Sequence, residues 1–417
     1  MTGESPHRSP IPLDLLRAST GDVSRAVGLP PGCYTDDAWY GYERDVIFDH
    51  EWICVGRVDM IPEPGDYFTV TTVDEEPLIV VRNRDGHINV MSSVCQHRGM
   101  CVTAPIDRPR EQWLDLPGES SGNLRNFRCP YHWWIYDLDG RLVGAPEMDS
   151  REDFSKEDIG LPRLAVEIWQ GFIFASFDVD AEPLGPRLTK FDRLLENYHL
   201  DEMVSTTPQW LTDVPFDWKL MAENFMEGYH AARLHGSLYD TAGVSLDDET
   251  LMTGTYSLYE PGDAGIGGWA RTAFIDRGLN PTQKALFPPI TTLTEEERWH
   301  IAFLFVPPTL LLGISSDSAF WFTVHPKAAG RHSLSMAYVF PRSTTEMKLF
   351  DQILRQHDYG VELFNAQDLP ANVGVQVGLR SRFAPRGPLS HQDNFLAQFN
   401  SWMLERFETA ERKAATR

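Results

Sequence analysis

From Trp52 to about Phe177 the chain runs in short β-branched and aromatic stretches, each ended by Gly, Pro, Asp or Asn. "YFTVTTV", "EPLIVVRN" and "INVMSSV" read as strands, with "RDGH" as the turn between the last two, and "WIYDLDGRLVG" repeats that hairpin logic around Asp139-Gly140. The pattern predicts a small all-β domain. After the linker-like "EPLGPRL", the stretch "KFDRLLENYHL" and residues 218–235 predict helices. Between Thr253 and Phe340, "RWHIAFLFV", "TLLLGIS", "AFWFTVHP" and "SLSMAYVFP" predict strands. Helices return from Glu346 to Gly360 and from Asp393 to Arg412. The second part is therefore α+β, an antiparallel sheet carrying helices. A Pro-Pro-Gly break at Pro30 to Gly32 sets off the beginning of the chain. The expected organisation is an arm over 1–37 packing on the second domain, a β domain over 38–178, and the α+β domain over 179–417.

Composition changes little in this picture but narrows the partners. At 417 residues the chain exceeds one ordinary core, and 42% hydrophobic with 12% aromatic residues suits a globular protein. A formal charge of −23 argues against a phosphate backbone or an anionic membrane as partner. No apolar run reaches membrane-span length, and "MTGESPHRSPIPLDLL" lacks the charged-then-apolar layout of a signal peptide. Five cysteines in such a chain point to a reducing compartment, the cytoplasm, where cysteines close to histidines read as metal ligands before disulfides.

Cys95-x-His97 and Cys129-x2-His132 lie within the β domain. Two Cys and two His admit one tetrahedral zinc, or a [2Fe–2S] cluster with thiolates on one iron and imidazoles on the other. The flanks "CQHRGM" and "CPYHWWIYDLDG" place each pair at a hairpin tip and resemble the two loops of a Rieske centre. Tyr131 stands where respiratory Rieske proteins have a further cysteine, and Cys101, Cys33 and Cys54 read as structural. The span between His97 and Cys129 is longer than soluble Rieske domains usually have. Its excess, "APIDRPREQWLDLPGESSGN", reads as a surface excursion. Trp133 occupies a position usually small in that family.

A cluster moves single electrons, so chemistry needs a second centre. "ENFMEGYHAARLHG" offers Glu227, His230 and His235. On a continuous helix Glu227 and His230 share a face, but His235 would point about 140° away from His230. Both histidines reach one ion only if the helix loosens near Leu234, with Gly236 as terminator. A carboxylate would complete the two-histidine face that leaves positions open on non-haem Fe(II). With these residues, roughly 38 to 410 resembles the large (α) subunit of Rieske non-haem iron ring-hydroxylating oxygenases. The late segment "QDLPANVGVQVGLRS" belongs to the same likeness.

The resemblance implies an all-β Rieske domain beside a helix-grip catalytic domain, with a [2Fe-2S] cluster on Cys95, His97, Cys129 and His132. It implies mononuclear Fe(II) on His230, His235 and Asp368, the acidic residue ahead of Gln376 to Ser381. Gln367 replaces the usual acidic neighbour, Pro370 and Gly374 are expected to break the local helix, and Asp358 and Glu362 compete as ligands. The resemblance makes Glu227 a catalytic bridge between His230 and a Rieske histidine, His132, of a neighbouring subunit, in a homotrimer with or without a small β subunit. It further implies a terminal oxygenase that takes O2 and electrons from NAD(P)H through a ferredoxin or flavin reductase.

The expected substrate is a small aromatic or hydrophobic compound. A methylammonium demethylase and a plain Rieske electron carrier are the alternatives, since Glu at the bridge also occurs in a branch resembling choline, carnitine and betaine oxygenases. Tyr256, Trp269, Phe303, Phe305, Trp321 and Phe322 are candidate cavity walls, and His300, His325 and His332 are expected to be structural.

Overall fold

The computed structural model describes residues 8–104, 110, 120–241, 255–257, 259–272, 275–278 and 284–415. It divides into two compact units, residues 54–182 and residues 1–53 with 183–417. Among the described residues no helix is long and apolar enough to cross a membrane.

The smaller unit contains β1 (Ile53–Arg57), β2 (Asp66–Thr71), β3 (Pro77–Arg82), β4 (Ile88–Ser92), β5 (Ser121–Asn123), β6 (Phe127–Arg128), β7 (Ile135–Tyr136), β8 (Leu142–Gly144), β9 (Ala165–Trp169) and β10 (Phe172–Ser176). They form sheets in the orders β1-β10-β9, β4-β3-β2-β5 and β6-β7-β8. β3 is apolar through Leu78–Val81 because it lies between two strands and is covered on both faces. The turn after it is closed by Asn83, whose Oδ1 accepts from the N–H groups of Asp85 (3.0 Å) and His87 (2.9 Å). Asp137 closes the 139–140 turn in the same way, accepting from Asp139 and Arg141 at 2.9 and 2.8 Å. There Gly140 has φ 83°, and a Cβ would come within 3.2 Å of Met91 Sδ, so both conformation and space require glycine. Asp139 Oδ1 accepts from Asn83 (2.8 Å) and Asn89 (2.9 Å), which ties the two turns together. Most of the long excursion, 105–109 and 111–119, lies outside the described residues; its end returns as β5 on the edge of β2, with Phe68 opposite Ser121.

In the larger unit, β11 (Val204–Ser205), β12 (Gln209–Val214), β13 (Thr255–Ser257), β14 (Ile266–Arg271), β15 (His300–Val306), β16 (Leu310–Ile314), β17 (Ala319–Ala328) and β18 (Arg331–Phe340) make an antiparallel sheet. Its order is β11-β18-β17-β16-β15-β14-β13, with β12 also on β18. The helices are α1 (Leu13–Arg17), α2 (Gly32–Thr35), α3 (Asp37–Glu43), α4 (Thr189–Leu195), α5 (Trp218–Met226), α6 (Ala231–Leu234), α7 (Gly236–Thr241), α8 (Arg342–Thr345), α9 (Phe350–Leu379) and α10 (Asn394–Ala415). α5 packs on β15 and β17, with α9 and α10 against it.

Two local outcomes depart from the sequence reading. α9 runs unbroken through Pro370. Proline there removes one hydrogen bond and crowds the preceding turn, a cost of about 3 kcal/mol. Tertiary anchoring offsets it: buried Gln376 accepts from the Asp217 N–H at 2.8 Å and donates to the Tyr34 carbonyl at 3.0 Å. Helix α3, expected with the β domain, packs in the larger unit. Trp39 meets Phe407 with ring centroids 5.1 Å apart, and Glu43 meets the Lys219 ammonium at 2.8 Å, both fully buried.

Candidate active site

The two Cys-His loops are shaped by backbone hydrogen bonds. After β4, Val94 and Cys101 pair as an isolated bridge, and the N–H of Cys95 donates to the Met100 carbonyl at 2.9 Å. Between β6 and β7, the N–H of Cys129 donates to Trp134 and that of Trp133 to Cys129, at 2.8 and 3.0 Å. Both sulfurs point into the core formed by Ile79, Met91, Trp134 and Tyr136, whereas His97 is exposed and His132 half-buried. The imidazoles lie together, ring centroids 4.7 Å apart, with His97 stacked on Trp134 at 4.8 Å.

Burial pushes the Cys129 thiol up, while the N–H groups of Tyr131 and His132 favour its thiolate. The Tyr136 hydroxyl sits 3.4 Å from Cys95 Sγ. Desolvation, with His132 and Arg98 nearby, pulls His97 down and keeps its imidazole neutral, the metal-binding form. Two inward thiols and two outward imidazoles, with hydrogen-bond donors aimed at the sulfurs, fit a [2Fe-2S] cluster. Trp133 adopts φ 62°, a region that favours glycine, and the Arg128 guanidinium covers its ring at 4.7 Å.

In the larger unit the chain opens earlier than Leu234. α5, capped by the Asp217 side chain, ends at Met226, and Glu227 is extended at φ −94°, ψ 149°. His230 and His235 then flank the single turn of α6 as its two end residues. Glu227 causes the break: its Oε2 accepts from the N–H groups of Tyr229 and His230, the latter at 3.1 Å, starting a new helix after Gly228. Its Oε1 faces His230 Nδ1. On the other ring, His235 Nδ1 meets Gln367 Oε1 at 2.7 Å. Each imidazole thus has Nδ1 occupied and Nε2 turned toward α9. There Asp368 Oδ1 lies 3.5 Å from His230 Nε2 and 3.1 Å from His235 Nε2, and also accepts from Asn224 at 3.4 Å.

One donor atom from each of His230, His235 and Asp368 falls within 4.8 Å of the others. Burial alone would lower the proton affinity of His230, yet Glu227 and Asp368 raise it, so the pocket attracts positive charge there. This donor set, two imidazole nitrogens and a carboxylate within reach of one ion, fits a divalent iron. Of the competing carboxylates, Asp358 accepts from the Tyr338 hydroxyl at 2.8 Å and Glu362 is exposed.

The triad forms one wall of a cavity of about 160 Å³. Phe303 and Phe322 line it, as the strand pattern suggested, and Phe225, Phe320 and Phe364 join them. Trp321 alternates to the opposite face of β17, Trp269 packs on His300 at 3.7 Å, and Phe305 packs on Phe399 at 5.2 Å, so these three leave the lining. The side chain of Tyr256 lies outside the described residues. His325 and His332 are fully buried away from the triad, where burial pulls them down to about 3 and about 4. The sequence reading missed Phe225, Tyr239, Arg277, Phe320 and Phe364 in the lining; period-2 alternation with Phe322 would have pointed to Phe320, but nothing pointed to Arg277, which sits on a loop.

Comparison with known proteins bears on both halves. The family described as the catalytic domain of ring hydroxylating alpha subunits matches residues 191–409, and the Rieske [2Fe-2S] domain matches 51–165. The oxygenase subunit of glycine betaine monooxygenase from Chromohalobacter salexigens is 34% identical over 237 residues, 56% of this chain and 48% of that one. The large oxygenase component of salicylate 5-hydroxylase from a Ralstonia species is 36% identical over 233 residues, 52% of this chain and 50% of that one. The chain thus spans about half the length of the curated relatives it matches. The crystal structure of naphthalene 1,2-dioxygenase from a Rhodococcus species superposes with a TM-score of 0.75 at 21% identity, covering 95% of this chain and 98% of that one, a likeness of fold.

Proposed function

This chain belongs to the ring-hydroxylating alpha-subunit family and includes a Rieske [2Fe-2S] domain, and on that premise we propose that it is the terminal oxygenase of a Rieske non-haem iron system. In this reading a separate reductase, with or without a ferredoxin, brings electrons from NAD(P)H, and O2 is used to hydroxylate a small aromatic compound. The observation that carries it is the convergence of His230, His235 and Asp368 on the wall of a phenylalanine-lined cavity. None of the five cysteines is paired in a disulfide, which suits a reducing cytoplasm.

When bound, the cluster supplies one-electron transfer and the iron supplies activation of O2. The side chains of this protein do the positioning. Glu227 and Gln367 accept from the two Nδ1–H groups, which fixes the tautomers and leaves both Nε2 lone pairs toward Asp368. Phe225, Phe303, Phe320 and Phe322 exclude water and orient a flat ring beside the triad. In our reading Glu227 also contacts His132 of a neighbouring copy, in a homotrimer with or without a small β subunit. Overall, monohydroxylation consumes O2, NAD(P)H and a proton and releases water, and dioxygenation retains both oxygen atoms.

The phenylalanine rings equally suit a methylammonium group by cation–π contact, the basis for the second reading, oxidative demethylation of a quaternary amine. Product mass spectrometry under ¹⁸O₂, with a surrogate reductase and a mixed aromatic and betaine panel, separates the readings. The proposal expects label in a hydroxylated aromatic product. Demethylation of the amines alone would support the second reading, and absence of label from every product would leave an electron carrier.

A further inference from the structure

Glycine inside a strand gives it no side chain to pack and weakens it, and often marks a place where another group comes very close. Gly313 interrupts the buried apolar run of β16, between Leu312 and Ile314. Across the ladder it stands directly opposite Phe303 on β15 and Phe320 on β17. Both of those rings line the cavity that holds His230, His235 and Asp368. Two residues earlier, the corresponding place on the same face is filled by Leu311, between Phe305 and Phe322.

The Phe320 ring takes the space that a side chain at Gly313 would need. A Cβ there would lie 2.3 Å from Cε1, 2.6 Å from Cζ and 3.0 Å from Cδ1 of Phe320, against about 3.5–4.0 Å for an ordinary carbon contact. The three nearest atoms all belong to one ring, so that ring lies across the glycine. The same ring meets Phe225 of α5 and Phe322 edge to face, with centroids 5.6 and 5.5 Å away, and Phe225 meets Phe303 at 5.5 Å. Because α5 packs on β15 and β17, a Phe320 ring lifted off β16 moves toward Phe225 and into the cavity.

Resting on the oxygenase reading above, we infer that Gly313 sets the size of the substrate: by seating the Phe320 ring against β16, it holds the cavity open for one aromatic ring and no more. The cavity of about 160 Å³ is close to the roughly 150 Å³ that accommodates benzene, which leaves no room for a fused second ring while Phe225 and Phe320 keep their places. Gly313 is a positioning residue that acts through Phe320. One methyl group added at Gly313 displaces the ring into the space the substrate takes. Removing the ring opens that space whatever stands at Gly313.

Headspace partitioning of toluene and naphthalene over the purified full-length protein, oxidised and without a reductase, reads binding without turnover. The wild-type protein should bind toluene about tenfold or more tighter than naphthalene. Gly313→Ala should weaken toluene by about tenfold, the scale of an overpacked core, and Phe320→Leu should strengthen naphthalene by about tenfold. Gly313→Ala added to Phe320→Leu should move either ligand by less than about twofold, because the ring it acts through is gone. The inference is overturned by toluene binding that a folded Gly313→Ala protein leaves unchanged, or by an equal loss with and without the Phe320 ring. Wild-type binding of naphthalene as tight as toluene, or of neither, overturns it too. If Gly313→Ala does not fold, failure of Phe320→Leu to gain naphthalene overturns it as well. Failure of the oxygenase reading shows separately, as missing ¹⁸O label with this size pattern intact.

Discussion

At His235 the nitrogen facing away from Asp368 meets a neutral amide, Gln367 Oε1. An amide oxygen still selects the Nδ1–H tautomer but lends the ring less electron density than a carboxylate would. Gln367→Leu would leave a buried N–H without its acceptor and the ring free to turn. We expect iron retention to fall by about 10–100-fold, measured as iron content after dialysis against a graded chelator, with the cluster's visible absorption unchanged. Gln367→Glu should retain the metal. The residue types of the site were legible in the sequence because ligand chemistry admits few of them. The position of Arg277 was not, because an arginine on a loop carries no periodic signal and acquires its meaning only from the cavity around it.

At the scale of elements, the site depends on how α5 is fixed beneath it. The Lys219 ammonium lies between Glu43 at 2.8 Å and Asp217 at 2.7 Å, all three fully buried, and Trp39 and Trp218 donate to the same Glu43 carboxylate at 2.8 and 3.2 Å. This knot joins α3 to the start of the helix that leads to Glu227 and His230. Removing the cation strands two buried carboxylates, so Lys219→Ala should cost about 3–5 kcal/mol, read from urea unfolding curves. Lys219→Arg, larger but charged, should cost less. The strands β2–β4 and β15–β18 were legible from their apolar runs, whereas β5, all exposed, fell inside what read as a surface excursion. The break at Glu227 was not: "ENFMEGYHAARLHG" reads as one helix until a carboxylate is seen taking the next turn's N–H groups. The end of α9 was hidden in the opposite sense, because Pro370 signals a stop that the Gln376 anchor overrides.

At the scale of the whole molecule, two donor sets are encoded in one chain: thiols and imidazoles in the smaller unit, imidazoles and a carboxylate in the larger. The sequence likeness made the second metal site expected, because a one-electron centre needs an acceptor. Glycine betaine and salicylate oxygenases appear side by side among the relatives, so the likeness does not choose between their substrate classes. The central claim is that His230, His235 and Asp368 bind a mononuclear iron distinct from the cluster. The direct measurement is iron content together with the reduced-cluster electron paramagnetic resonance spectrum, in the wild-type protein and in His230→Ala. Loss of the mononuclear iron from His230→Ala with an unaltered Rieske spectrum is the predicted result; iron content that the substitution leaves unchanged would contradict it.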